Sequence, residues 1–310
     1  RVVERPVVRG RYRGFEVLSM PPPSSGGVHL VQILNMLERF DLAAMGHQSA
    51  DTLHIMAEAM KLAYADRSEF LGDPDFVRVP VSGLISKAYA ATLAAQINPA
   101  RARPAAEIRP GRPQTHENDQ TTHYSVVDSA GNAVSVTTTI NFSYGLGAVA
   151  AGTGVLLNNQ LDDFAAQAGV ANAYGLVGGD ANAPAAGKRP LSSMAPTIVL
   201  RDGRAALVTG SPGGSRIITT VLQLVTGLVD HGLTLGEATV APRMHHQWLP
   251  DEMVVERGFS PDTLRLLRER GHRIVERPTS GSLSSILIAP NGVIHGFADT
   301  RQRGTLAIAP

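Results

Sequence analysis

Two runs of alternating polarity sit near the middle of the chain, Thr121 to Asp128 and Asn132 to Asn141, and only Ser129-Ala130-Gly131 separates them. Both runs are rich in Val, Thr and Ile, residues that suit a half-buried pleated surface. So short a connection implies an antiparallel hairpin, with Gly131 where a three-residue loop wants a left-handed residue. Loop length then sets the register. Asp128 lies opposite Asn132 and, counting outward, Thr121 lies opposite Thr139. Asn141, two residues on, is expected to share the face of Thr139.

Helical patterns precede this hairpin. Residues 1–20 read as an arm and a strand. Pro21-Pro22-Pro23-Ser24-Ser25-Gly26-Gly27 is a rigid turn that launches a helix with Leu30, Ile33, Leu34 and Leu37 at helical spacing. A second helix follows Ser49 or Asp51, either of which can cap it, with Leu53, Met56, Met60 and Ala63 as its buried stripe. A third is expected near 86–97. Residues 99–120 lose apolar periodicity among Pro99, Pro104, Pro110 and Pro113, and from composition alone they read as an exposed linker. After the hairpin come strands near 195–201 and 204–209, a Gly-rich turn, and a helix to about Asp230. The last quarter alternates helix, strand, helix and further strands. The expected class is α+β, an antiparallel sheet covered by helices.

Composition excludes several functions. With 43% hydrophobic residues and a net charge of +1 over 310 residues, the chain is neither disordered nor a broad basic surface for nucleic acid. The absence of cysteine removes disulfides, thiolate metal sites and a cysteine nucleophile together, and leaves the compartment open. Lys61, Lys87 and Lys188 are the whole lysine complement, so a lysine nucleophile has few candidates. The longest apolar run, Ile217 to Val229, is interrupted by Thr219, Thr220, Gln223 and Thr226, which is too short and too polar for a membrane span. The chain opens on Arg1 with no signal peptide to read, as expected of a start inside a longer or processed product.

Familiar catalytic signatures fail. There is no Gly-x-Ser-x-Gly elbow, and Gly210 to Ser215 lacks the lysine of a phosphate loop. His245-His246 is an adjacent pair rather than two ligands on one helical face, so it reads as structural, and no metal site is expected. Taken singly, Thr137-Thr138-Thr139 is β-propensity, Gly213-Gly214 a tight connection, and Asn158 to Asp163 a solvated turn.

Together these segments resemble the γ-glutamyltransferases. The resemblance is carried by Gln120-Thr121-Thr122-His123-Tyr124-Ser125-Val126-Val127-Asp128, by Leu156 to Phe164, by Tyr174 to Asn182, by Lys188 to Met194, by Gly210 to Arg216 and, upstream, by Pro22 to Gly27. It runs from near residue 15 to near residue 300 with spacings kept. It implies a four-layer αββα sandwich of the N-terminal-nucleophile hydrolase type, made as a zymogen that cuts itself between Gln120 and Thr121. Residues 1–120 would be the C-terminal part of the large subunit, helical and ending in a processing linker. Residues 121–310 would be the small catalytic subunit, and the two fragments would stay associated.

The resemblance also assigns roles. Thr121 would be the nucleophile, Thr139 its hydrogen-bond partner, and Gly213 and Gly214 the oxyanion donors. Asn141, Gln160 and Asp163 would hold the substrate α-amino group, Ser192 and Ser193 its α-carboxylate, and Tyr174 would cover the pocket. A hydroxyl needs a base, and a free α-amine with a pKa of roughly 8 can serve at Thr121 without a histidine. No cofactor is then required. The implied reaction moves the γ-glutamyl group of glutathione or another γ-glutamyl compound to water, an amino acid or a dipeptide. Family habit implies a periplasmic or secreted location. Family precursors are longer, and their N-terminal portion supplies a carboxylate-binding arginine that maps to no position here. Two alternatives stand beside this reading. One is a glutaryl-type β-lactam side-chain acylase of the same superfamily. The other is an inert truncated binding domain.

Overall fold

The computed structural model describes residues 2–113, 125–278, 281–302 and 307–308. Gln120 and Thr121 lie outside the described residues. The helices are α1 (Gly26–Leu37), α2 (Leu42–Met45), α3 (Ala50–Phe70), α4 (Val81–Leu84), α5 (Lys87–Ala94), α6 (Ile217–Val229), α7 (Leu235–Val240) and α8 (Pro261–Glu269). The strands are β1 (Val8–Tyr12), β2 (Phe15–Ser19), β3 (Ser125–Val127), β4 (Ala133–Ser135), β5 (Thr197–Arg201), β6 (Arg204–Thr209), β7 (Met244–His245), β8 (Met253–Val255), β9 (Ile274–Glu276), β10 (Ser284–Ile288) and β11 (Ile294–Ala298).

The main sheet has the order β1-β2-β5-β6-β10-β11, antiparallel throughout. The first twenty residues supply two strands rather than the one expected, because Arg13 and Gly14 both take positive φ and close a two-residue turn. Asp202 and Gly203 do the same between β5 and β6. The β3–β4 hairpin crosses the other face of this sheet. Ser125 Oγ donates to the Ser284 carbonyl at 2.9 Å, and Ser135 Oγ to the Thr209 carbonyl at 3.1 Å. Its register is the one the loop length demands, with Val127 against Ala133 and Val126 against Val134. The pairing of Thr121 with Thr139 lies outside the described residues. Asn141 departs from the expected strand face: its φ of +74° turns the chain out of extended geometry.

On the opposite side of the sheet, α1 packs against β1 and β2, and α3, α5 and α6 gather around it. Every residue of α1 is buried. Helices, main sheet and second sheet are thus stacked among the described residues, three layers of an αββα sandwich.

Helix α3 is capped by Ser49, whose hydroxyl accepts from the Thr52 N–H, which decides between the two capping candidates. Its expected stripe is buried, but so are Glu58, Lys61, Asp66 and Arg67. Buried charge persists only with partners. Lys61 Nζ donates to Glu58 Oε1 and to the Arg103 carbonyl, both at 2.8 Å. Asp66 accepts from Gln32, Tyr89 and the Gly111 N–H.

The exposed-linker reading of 99–120 is corrected for the described part. Ala102, Ala105 and Ile108 are buried, and the Ala102 N–H donates to the Arg270 carbonyl at 2.7 Å. Prolines break the helical period there, yet small apolar side chains still face the core. Among the described residues, no helix is long and apolar enough to cross a membrane.

Candidate active site

Strand β6 ends in Gly210-Ser211-Pro212, and Gly213 and Gly214 turn the chain into a 3₁₀ segment, Gly214–Arg216, that runs on into α6. The two φ values are +138° and +57°. A Cβ on Gly214 would lie 2.5 Å from the Tyr174 ring, so backbone angle and space both demand glycine. Neither glycine N–H donates to another group among the described residues. Both sit at the positive end of a helix, where an anion is favoured.

The Pro21–Gly27 turn is the scaffold for Ser192 and Ser193. The Ser25 N–H donates to the Ser192 carbonyl at 2.9 Å, and the Ser192 N–H to the Pro23 carbonyl at 2.8 Å. Gly26 allows the approach, because a Cβ there would overlap the Met194 carbonyl. Ser192 Oγ accepts from the Met194 N–H at 3.1 Å, and Ser193 Oγ accepts from Arg67 Nη2 at 3.2 Å. Each hydroxyl oxygen is thus engaged as acceptor, which leaves its proton for an anionic guest.

Other groups that line the same cavity offer acceptors. Asn141 Nδ2 donates to the Asn159 carbonyl at 3.0 Å, while its Oδ1 accepts from the Tyr174 hydroxyl at 2.7 Å and keeps a second lone pair. Gln160 Nε2 donates to Asp163 Oδ2 at 3.3 Å, so Gln160 Oε1 and Asp163 Oδ1 are open. Burial raises the Asp163 carboxyl to about 6, against the lowering pull of Arg67 and of the Gln160 bond. Burial likewise pushes the Tyr174 hydroxyl up to about 12, so it stays a donor at neutral pH. Thr139 Oγ1 accepts from the Asn141 N–H at 2.8 Å, which ties the two together across the kink.

Arg67 is the residue that sequence reasoning missed. It is buried, donates from Nε to Ser25 Oγ at 2.9 Å as well as to Ser193, and has no carboxylate within ion-pair distance among the described residues. Burial lowers its guanidinium to about 10, still charged at neutral pH. The signal was present: 53, 56, 60, 63 and 67 continue one helical stripe, so an arginine stands where an apolar residue is expected.

One cavity collects these groups. Thr139, Asn141, Gln160, Asp163, Tyr174, Ser192, Ser193, Gly213 and Gly214 line it together with Arg67 and Thr137. Thr137 is buried, and its hydroxyl has no hydrogen-bond partner among the described residues. The histidine pair is elsewhere and engaged, His245 with Thr219 and Gln247, His246 with Asp251 and the Trp248 N–H. His54, Glu58 and His272 have ligand-like spacing, but His54 bonds His272 and the Asn98 carbonyl while Glu58 pairs with Lys61. They form a core network.

The fold is of the N-terminal-nucleophile hydrolase type. Its resemblance to cephalosporin acylase from Bacillus halodurans has a TM-score of 0.83 at 26% identity and covers 98% of this chain and 53% of that one. The family is narrower: the gamma-glutamyltranspeptidase model matches residues 1–309, and the chain belongs to that family. The glutathione hydrolase proenzyme of Escherichia coli strain K12 is 60% identical over 302 residues, 97% of this chain and 52% of that protein. An acivicin-inhibited gamma-glutamyltranspeptidase, whose C-terminus has critical roles in autoprocessing and catalysis, matches 59% of this chain along its entire length, with 53% identity and a TM-score of 0.57. The chain spans about half the length of the curated relatives it matches.

Proposed function

We propose that this chain carries the catalytic site of a glutathione hydrolase and γ-glutamyltransferase that cuts itself between Gln120 and Thr121. The observation that carries the reading is the polarity of the cavity. Arg67 and two hydroxyl donors line it together with Asp163 and two amide oxygens. That is the complement of an amino-acid head group, a carboxylate beside an ammonium. Arg67 adds a buried cation to the donor groups of the cavity. A glutaryl acylase has no ammonium to hold, so the three converging acceptors favour the γ-glutamyl donor.

In maturation the Thr121 hydroxyl attacks the Gln120 carbonyl, the acyl group shifts from nitrogen to oxygen, and water hydrolyses the ester. Fragment 1–120 stays associated with fragment 121–310. The freed α-amine of Thr121 then deprotonates its hydroxyl, which attacks the γ-carbonyl of the bound donor. Gly213 and Gly214 donate to the oxyanion, and Thr139 orients the nucleophile. Tyr174, hydrogen-bonded to Asn141, covers the site. The γ-glutamyl ester is resolved by water, or by an amino acid or dipeptide acceptor. The place of work is the periplasm or the exterior of the cell.

The test is the intact mass of the purified protein together with turnover of γ-glutamyl-p-nitroanilide and glutaryl-p-nitroanilide. A split before Thr121 and preference for the γ-glutamyl substrate are expected, and Thr121→Ala abolishes both cleavage and turnover. A persistent single chain without turnover, or preference for the glutaryl substrate, overturns the reading.

A further inference from the structure

A cavity of about 20 Å³, room for one water or one ion, shares no residue with the site above. Its wall includes His47 and Gln48 from the turn before α3, Gln223 and Thr226 from α6, His231 just beyond α6, and Arg243. Most of these polar groups are already engaged. Gln223 exchanges hydrogen bonds with the Met244 backbone, the Thr226 hydroxyl donates to the Leu222 carbonyl, and Arg243 pairs with Asp299 at 2.5 Å. The two imidazoles are not. Neither ring makes a hydrogen bond or ion pair among the described residues, and Gln48, which donates from Nε2 to the Pro242 carbonyl, accepts nothing at Oε1. Asp230, next to His231, is held by the Tyr12 hydroxyl at 2.6 Å and by Arg13 at 3.0 Å.

The separation of the rings fits a shared ion. Their centres are 5.2 Å apart, with the planes at 61°. A zinc ion about 2.1 Å from a ring nitrogen stands about 3.2 Å from the ring centre, so two imidazoles at a tetrahedral angle about one ion have centres about 5.2 Å apart. The backbone fixes both positions. Gly46 and Gln48 flank His47 at φ of +85° and +56°, the Thr52 hydroxyl donates to the Gly46 carbonyl at 2.7 Å, and Gly232 follows His231 at +62°. A left-handed residue other than glycine, such as Gln48, persists only where its surroundings impose the shape. Burial, and for His47 the like charge of His231, hold both imidazoles below their ordinary pKa, so both are neutral near pH 7, the form that ligates a metal. His47 is exposed, which gives an ion a way in from solvent. We propose that His47 and His231 bind one divalent transition-metal ion of the zinc class, with Gln48 Oε1 and water completing a tetrahedral shell. Imidazole suits zinc, nickel and copper rather than magnesium or calcium. The two ligands stand on opposite sides of Thr121 in the chain, so the ion clamps residues 1–120 to residues 121–310. The site is independent of the reading given under Proposed function.

The experiment uses the complete purified protein, stripped of metal and carrying no histidine tag. Calorimetric titration with Zn²⁺ is expected to give one ion per chain, and Co²⁺ in its place the visible absorption of a tetrahedral site. His47→Gln and His231→Gln should each weaken Zn²⁺ binding at least tenfold, since the loss of a group that merely orients a ligand already costs about 10- to 100-fold. His47→Cys, which supplies a thiolate in place of the imidazole, should recover binding. Saturating Zn²⁺ should raise the unfolding temperature of the unaltered protein and leave that of either Gln variant unmoved. Turnover without added metal stays the same in all of them. Absence of Zn²⁺ binding overturns the site. So does binding equally tight in both Gln variants, the result that an adventitious ion on an exposed histidine such as His295 would give.

Discussion

Lowering the pH through 6 should weaken donor capture through one carboxyl group. Asp163 is raised to about 6 in the empty site because burial disfavours its charge. Only its ionised form attracts an ammonium, so capture is lost as pH falls through that value. At pH 5 about one-tenth of the groups remain charged, which predicts a roughly tenfold loss in kcat/KM from this group alone. The α-amine of Thr121 adds its own earlier loss, since an unperturbed amine near 8 must be neutral to act as base. The slope of log kcat/KM against pH should therefore steepen from one towards two below about pH 6. Bound ammonium stabilises the carboxylate, so the second limb in kcat should lie at lower pH. Asp163→Asn removes a charged hydrogen bond and lowers kcat/KM at neutral pH by about ten- to hundredfold, and its profile keeps only the single slope. A steady-state profile from pH 4.5 to 9 with γ-glutamyl-p-nitroanilide decides the matter. An unchanged second limb in Asp163→Asn would refute the argument.

Further outcomes follow from the same geometry. Gly214→Ala puts a Cβ 2.5 Å from the Tyr174 ring at a φ of +57°, displacing an oxyanion donor and lowering kcat by about a hundredfold or more, read by steady-state kinetics. Arg67→Met leaves Ser193 and Ser25 without their shared donor and should raise KM at least tenfold for γ-glutamyl and glutaryl substrates alike, since both carry the terminal carboxylate. Lys61→Met strands Glu58 in the core and should cost about 3–5 kcal/mol of stability, measured by denaturant unfolding. The double variant Glu58→Gln with Lys61→Met should recover much of that loss.

The hairpin shows how far a sequence can be read. A three-residue loop ending in glycine fixes β3 against β4, because a slip by one residue would turn every side chain to the wrong face. The helix after Pro21–Gly27, the capped helix after Ser49 and the glycine pair before α6 are equally local, dictated by caps, periodicity and φ. The family resemblance also named nine of the residues that meet in the cavity. What escaped was non-local. Arg67 looks like a flaw in an apolar stripe until β-sheet and loop bring Ser193 and Ser25 to its guanidinium, 126 and 42 residues away in the chain. Asn141 looks like one more strand residue until its φ turns it to meet Tyr174. The segment 99–113 has no period, yet Ala102, Ala105 and Ile108 in it are buried, because burial there is set by what lies opposite rather than by its own repeat. Sequence determines which backbone shapes and reactive groups are available. Tertiary structure decides which charges share a cavity, since electrostatic partnership depends on distance in space and not along the chain.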